Sequence, residues 1–155
     1  MFGLYSTTHG AAEAIQCCHL LADLLANALE GRTKDEVFRL APAAYSEPRI
    51  RDLATGNFRH KRRDEVKGTG SSVASLEAAL WCFWHSDSFE AAVLEAANLG
   101  DDADTTAAIT GQLAGAFYGR QGIPSGWFDK LHMGKEIEDI ALALFQSANS
   151  RAQAS

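Results

Sequence analysis

Residues 98–119 read NLGDDADTTAAITGQLAGAFYG. Asn98, Leu99 and Gly100 close an apolar helical pattern, three acids follow at Asp101, Asp102 and Asp104, and Ile109, Leu113, Ala116 and Phe117 then recur at helical spacing as far as Gly119. The stretch therefore predicts helix, tight turn, helix, with the acids crowded at the start of the second helix. Acids in that position cap a helix and complement its dipole. Capping employs one or two of them, and three neighbouring carboxylates repel one another unless a cation or water compensates. Hard cations such as Mg²⁺ and Mn²⁺ take oxygen ligands, and Asp102, Asp104 and Thr105 offer two carboxylates and a hydroxyl from one turn. On spacing alone, capping and metal binding both stand.

Two other metal motifs fail. An EF-hand loop counted from Asp101 or Asp102 puts Thr106 or Ala107 where glycine is needed, and Gln112 or Leu113 where a bidentate Glu is needed. Residues 102–106 also match the Asp-x-Asp-x-Thr nucleophile motif of haloacid-dehalogenase-like phosphatases. That motif follows an apolar strand, whereas residues 91–99 read as a helix.

Outward from this stretch the chain is helical throughout. A first helix is expected from near Thr8 or Gly10 to Leu29, with Ile15, Cys18, Leu21, Ala22, Leu25, Ala28 and Leu29 as its buried stripe and Gly31 as its stop. Thr33 and Glu36 form a capping box for a helix carrying Val37, Phe38 and Leu40, limited by Pro42. Residues 46–70 read as connection with one short helix. From Ser72 a strong helix carries Val73, Leu76, Ala79, Leu80, Phe83 and Trp84, and Ser86 or Asp87 is placed to cap the next. Gly111 and Gly115 leave room for a neighbouring helix. Pro124 opens a short turn with Trp127 and Phe128. A last helix from about Lys135 to Phe145 turns Ile137, Ile140, Ala141, Leu144 and Phe145 inward, and residues 147–155 read as a frayed tail. The fold class is all-α, a multi-helix orthogonal bundle in one domain over residues 1–155, with no fixed-period repeat.

The 155 residues are 46% hydrophobic and 22% charged, with net charge −6. Those values describe a globular chain and argue against a nucleic-acid binder, which needs a positive field. No secretory signal or membrane span is visible, so the expectation is a cytoplasmic protein with no membrane partner. Cys17, Cys18 and Cys82 lack any framework or zinc spacing and read as reduced, packed thiols. His19, His60, His85 and His132 read as packing or surface residues, and Trp81, Trp84 and Trp127 as anchors. The run Arg59, His60, Lys61, Arg62, Arg63 reads as a solvated face neutralised by Asp64 and Glu65, with phosphate contact as the rival.

The string over residues 98–119 closely resembles the signature of the ADP-ribosylglycohydrolase family, which includes the dinitrogenase-reductase-activating glycohydrolases. Residues 75–81 resemble the family helix that follows a glycine-containing loop, and Thr7, Thr8 and His9 resemble a segment near its ligand cleft. The resemblance implies a helical bundle around a dinuclear Mg²⁺ or Mn²⁺ centre and hydrolysis of the N- or O-glycosidic bond that joins ADP-ribose to an acceptor. By position it makes Asp102, Asp104 and Thr105 metal ligands, with Asp102 and Asp104 as the catalytic carboxylates, and leaves Asp101 outside the ligand set. His9, Gly68, Gly70, Ser71 and Ser72 would contact ADP-ribose or the ADP-ribosylated protein.

Family members are markedly longer, and their amino-terminal half adds a Thr-Asp-Asp cluster to the same metals. No such cluster occurs between Met1 and Gly100. The chain therefore resembles a carboxy-terminal half lacking the amino-terminal helices, inactive or nearly so alone. A complementary amino-terminal half, or self-association, would cover its apolar faces. The rivals are a non-catalytic ADP-ribose-binding or assembly module or split-enzyme subunit, and a metal-dependent phosphohydrolase.

Overall fold

The computed structural model describes residues 12–153. Helices follow in the order α1 (Ala12–Leu29), α2 (Lys34–Val37), α3 (Pro48–Thr55), α4 (Ser72–Trp84), α5 (Phe89–Ala97), α6 (Ala103–Tyr118), α7 (Ser125–Phe128) and α8 (Gly134–Gln153), with 3₁₀ turns in the connections. No strand occurs among the described residues, as the all-α reading expects. The chain forms two compact units, residues 1–122 and 123–155.

In the first unit α6 is the central helix, packed by α5, α4 and α1. Its small residues set that arrangement: Gly111 lies under Val93 of α5 and Gly115 under Phe89. Leu113 and Ala114 complete its buried side. On α1 the buried stripe is Ala14, Cys17, Leu20, Leu24 and Ala28, about a residue out of phase with the expected one, and Leu29 is 74% exposed. That helix is apolar over most of its circumference, so its periodicity admits two phases. The tertiary partners choose the one that fully buries Leu20 and Leu24, each contributing roughly 1.5–3 kcal/mol.

Local signals explain the ends. Thr33 and Glu36 form the expected capping box, but α2 is a single turn, with Phe38 already at its C-cap. Phe38 instead joins a ring cluster with Phe58 at 5.5 Å, Phe83 at 5.9 Å and Trp84 at 5.5 Å. Pro48 at the first turn starts α3, and Gly56 ends it at φ 82°, a left-handed geometry that glycine adopts without strain. The α5 cap is Ser88, whose Oγ accepts from the Ala91 N–H at 3.0 Å. Ser86, expected as a candidate cap, is buried, and its carbonyl accepts from Lys34 and from Tyr118.

The expected exposed, locally neutralised face holds at Arg62, which pairs with Asp64 and Glu65, while Arg59, Lys61 and Arg63 find other partners. Arg59 stacks over Trp84 at 4.2 Å and Phe38 at 4.9 Å. Lys61 pairs with Glu77 at 2.7 Å, Arg62 with Asp64 at 2.8 Å and Arg63 with Glu95 at 2.6 Å.

The second unit corrects two expectations. The last helix continues through Gln153 rather than ending near Phe145, because residues such as Gln146 and Ala148 favour helix. Its apolar stripe is not turned inward: Ile137, Ile140, Leu144 and Phe145 are each more than half exposed, and Ala141 is exposed too. Helical periodicity marks a face suited to burial; it does not supply the partner that buries it. No helix among the described residues is long and apolar enough to cross a membrane.

Candidate metal and ligand site

The acid turn is built from two consecutive left-handed residues, Gly100 at φ 85° and Asp101 at φ 52°. Glycine takes that region freely and aspartate tolerates it, so the chain reverses within two residues between α5 and α6. Asp101 is exposed. Asp102 follows at the N-cap of α6 with φ −88° and ψ 58°, and its side chain makes no capping bond to the helix backbone. Its Oδ1 accepts instead from the Thr105 hydroxyl at 2.9 Å. Asp104 Oδ1 accepts from the Thr105 backbone N–H at 2.9 Å. That amide is the main cause holding the Asp104 carboxyl below its ordinary pKa, with hydrogen bonding to Asp102 next, so Asp104 is ionised at neutral pH. Thr105 thus ties the two acids together, Asp102 through its hydroxyl and Asp104 through its amide, and Asp104 is exposed and does not line the cavity beside Asp102 and Thr105.

Hard oxygen donors of this kind suit Mg²⁺ or Mn²⁺ by chemistry. They do not close a coordination shell: among the described residues no group of three or more Asp, Glu, His or Cys side chains converges on one point. The donor set fits one side of a metal centre.

Asp102 and Thr105 lie on the wall of a cavity of about 630 Å³. Gly70, Ser72, Ser75 and Leu76 line it from the loop and first turns of α4, Cys17, Cys18 and Leu21 from α1, and Ala108, Ile109 and Gln112 from α6. Ser75 Oγ donates to the Thr69 carbonyl at 2.8 Å and holds that loop in place. The other candidates fall elsewhere. Ser71 is the N-cap of α4, its Oγ accepting from the Ala74 N–H at 3.2 Å. Gly68 is buried beneath the acid turn rather than lining the cavity. His9 lies outside the described residues.

Gln112 was not singled out from the sequence, although a signal existed: Thr105, Ala108, Ile109 and Gln112 are spaced three and four apart, which places them on one helix face. The cysteines are packed thiols as expected, but Cys17 and Cys18 also form part of the cavity wall. Burial pushes the Cys17 and Cys82 thiols up to about 12, so they are neutral at physiological pH. The segment before the acid turn is helix α5, not a strand, which removes the phosphatase reading of Asp102.

The ADP-ribosylglycohydrolase family model matches residues 4–154. The chain is 47% identical over 144 residues to an ADP-ribosylarginine hydrolase Tri1 of Pseudomonas putida (strain GB-1), an alignment covering 92% of this chain and 38% of that protein. It is 41% identical over 96 residues to the ADP-ribosyl-[dinitrogen reductase] glycohydrolase of Rhodospirillum rubrum, covering 55% of this chain and 33% of that one. A solved structure described as an ADP-ribosylglycohydrolase-related protein complex superposes with a TM-score of 0.82 at 42% identity, over 90% of this chain and 49% of its own. The chain thus spans less than half the length of these relatives.

Proposed function

Since the chain belongs to the ADP-ribosylglycohydrolase family, we propose that it forms one side of a metal-dependent site for hydrolysing ADP-ribosyl glycosidic linkages, with Asp102, Asp104 and Thr105 as cation ligands. One observation carries this reading: Asp102 occupies the N-cap of α6 yet does not cap it, and lies instead beside Thr105 at the cavity wall. A structural cap would spend its carboxylate on the helix N–H groups.

In this reading the two carboxylates and the hydroxyl hold Mg²⁺ or Mn²⁺ on one side of the cavity. A divalent cation held there would supply Lewis acidity for the attack of water on the glycosidic bond. Ser72 and Gln112 offer hydrogen-bonding groups to the ribose hydroxyls of ADP-ribose. The charge of Asp102 and Asp104 favours the cation-like character that develops at the anomeric carbon. The similarity to an ADP-ribosylarginine hydrolase of Pseudomonas putida and an ADP-ribosyl-[dinitrogen reductase] glycohydrolase of Rhodospirillum rubrum supports an ADP-ribosylated substrate.

Three ligand groups from one turn under-coordinate a divalent ion. The remaining ligands come from an amino-terminal portion equivalent to the part of the relatives that these residues do not span. The chain alone is therefore expected to release little ADP-ribose from ADP-ribosyl-arginine. Release should appear when a chain carrying the complementary acid cluster is added, and vanish again with Asp102→Asn. Full-rate release by the chain alone would contradict the half-site, and no release with the complement would contradict the enzymatic reading.

The exposed stripe of Ile137, Ile140, Leu144 and Phe145 favours a second reading, in which these residues serve assembly without catalysis. The occupant would be that same amino-terminal portion. Sedimentation of the two chains together distinguishes the readings: a stable complex without hydrolysis supports assembly alone.

A further inference from the structure

Both backbone polar groups of Asp102 are held. Its N–H donates to the Gly68 carbonyl at 2.9 Å, and its carbonyl accepts from the Thr106 N–H at 3.1 Å. The two residues that grip it also abut one another. A Cβ built on Gly68 would lie 2.6 Å from Thr106 Oγ1, closer than real side-chain contacts come. Gly68 has no left-handed φ, so the requirement for glycine there is one of space. Thr106 is fully buried, and its hydroxyl has no hydrogen-bond partner. A β-branched side chain in a helix has few rotamers, two for Thr, so a swing of Thr106 offers the contact little room for relief.

We propose that Gly68 and Thr106 are a positioning pair for Asp102. The Thr106 side chain sets how close the loop at residues 66–70 sits on the first turn of α6, and the Gly68 carbonyl then fixes the Asp102 backbone from which its carboxylate projects. This assigns Gly68 to the support of a ligand rather than to contact with ADP-ribose. The functional consequence rests on Asp102 being a cation ligand, as proposed above; the coupling itself does not.

The test is amide hydrogen exchange by NMR on the full chain, comparing Asp102 with the core amide of Leu113. Gly68→Ala should speed exchange at Asp102 about tenfold or more while leaving Leu113 close to wild type, a local opening rather than a global one. Adding Thr106→Ala should restore Asp102, because the Gly68 Cβ would then face the residue-106 Cβ at 3.6 Å, an ordinary contact. Adding Thr106→Val, which keeps the volume and removes only the polarity, should not restore it. Mn²⁺ affinity should fall and recover in the same order. Unchanged exchange at Asp102 in Gly68→Ala, or failure of Thr106→Ala to rescue, would overturn the pair; if Gly68→Ala alone does not fold, the two double variants decide by whether only Thr106→Ala restores the fold. Failure of every variant and of the wild type to bind Mn²⁺, with the exchange pattern intact, would instead count against the metal reading.

Discussion

The Thr105 hydroxyl donates to Asp102 Oδ1 at 2.9 Å across one turn of helix. The carboxylate so engaged makes no capping bond to the N–H groups of α6, and Asp102 and Thr105 both line the cavity. Thr105→Val should lower Mn²⁺ affinity roughly tenfold, the scale on which groups supporting a metal ligand act. Thr105→Ser should retain it. Both variants should melt close to wild type, since Thr105 is exposed. Equal affinities for Val and Ser would show that the hydroxyl neither orients Asp102 nor binds the ion.

Lys34 closes the far end of α4. Its ammonium donates to the Phe83 carbonyl at 3.0 Å and to the Ser86 carbonyl, and lies 4.8 Å from the Phe83 ring centroid. Lys34→Met removes the charged donor from both carbonyls and leaves them Tyr118 and backbone N–H groups, so it should destabilise the chain by about 2 kcal/mol at most, the scale of hydrogen bonds to charged groups. Urea denaturation checks this; an unchanged midpoint would mean that water replaces the ammonium at no cost.

The buried thiols predict a loss of stability in alkali. Burial raises Cys17 and Cys82 to about 12 from the ordinary thiol value of 9.0. Between those values the folded chain keeps protons that the unfolded chain releases, so stability is full below about pH 9 and declines as pH rises towards 12. Replacing both with Ala should flatten the denaturation midpoint between pH 8 and pH 10. A slope unchanged by the replacement would assign the alkaline loss to other groups.

Legibility followed the range of the interactions. The Thr33–Glu36 capping box and the start of α6 are local, within four residues, and could be read from sequence. The acid turn was legible because a glycine and three acids compress its chemistry into five positions. The phase of α1 was not, because both of its candidate stripes are apolar and only the packing of α4 and α6 selects one. Lys34 reaches carbonyls about fifty residues away, which no spacing rule anticipates. Gly68 looked like a ligand-loop glycine, and its closeness to Thr106 exists only once the loop is seated on α6. The face of α8 was legible as amphipathic, but its exposure depends on what lies beside it.

The most direct test of the central claim is a Mn²⁺ titration followed by paramagnetic broadening of backbone amide signals. The half-site predicts selective loss of the signals of residues 102–105, with a weak affinity on the order of 10⁻⁴ to 10⁻³ M for an open oxygen site, abolished by Asp102→Asn. Signals in that turn that survive millimolar Mn²⁺, or broaden no more than those of the exposed acids Asp64 and Asp139, would contradict it.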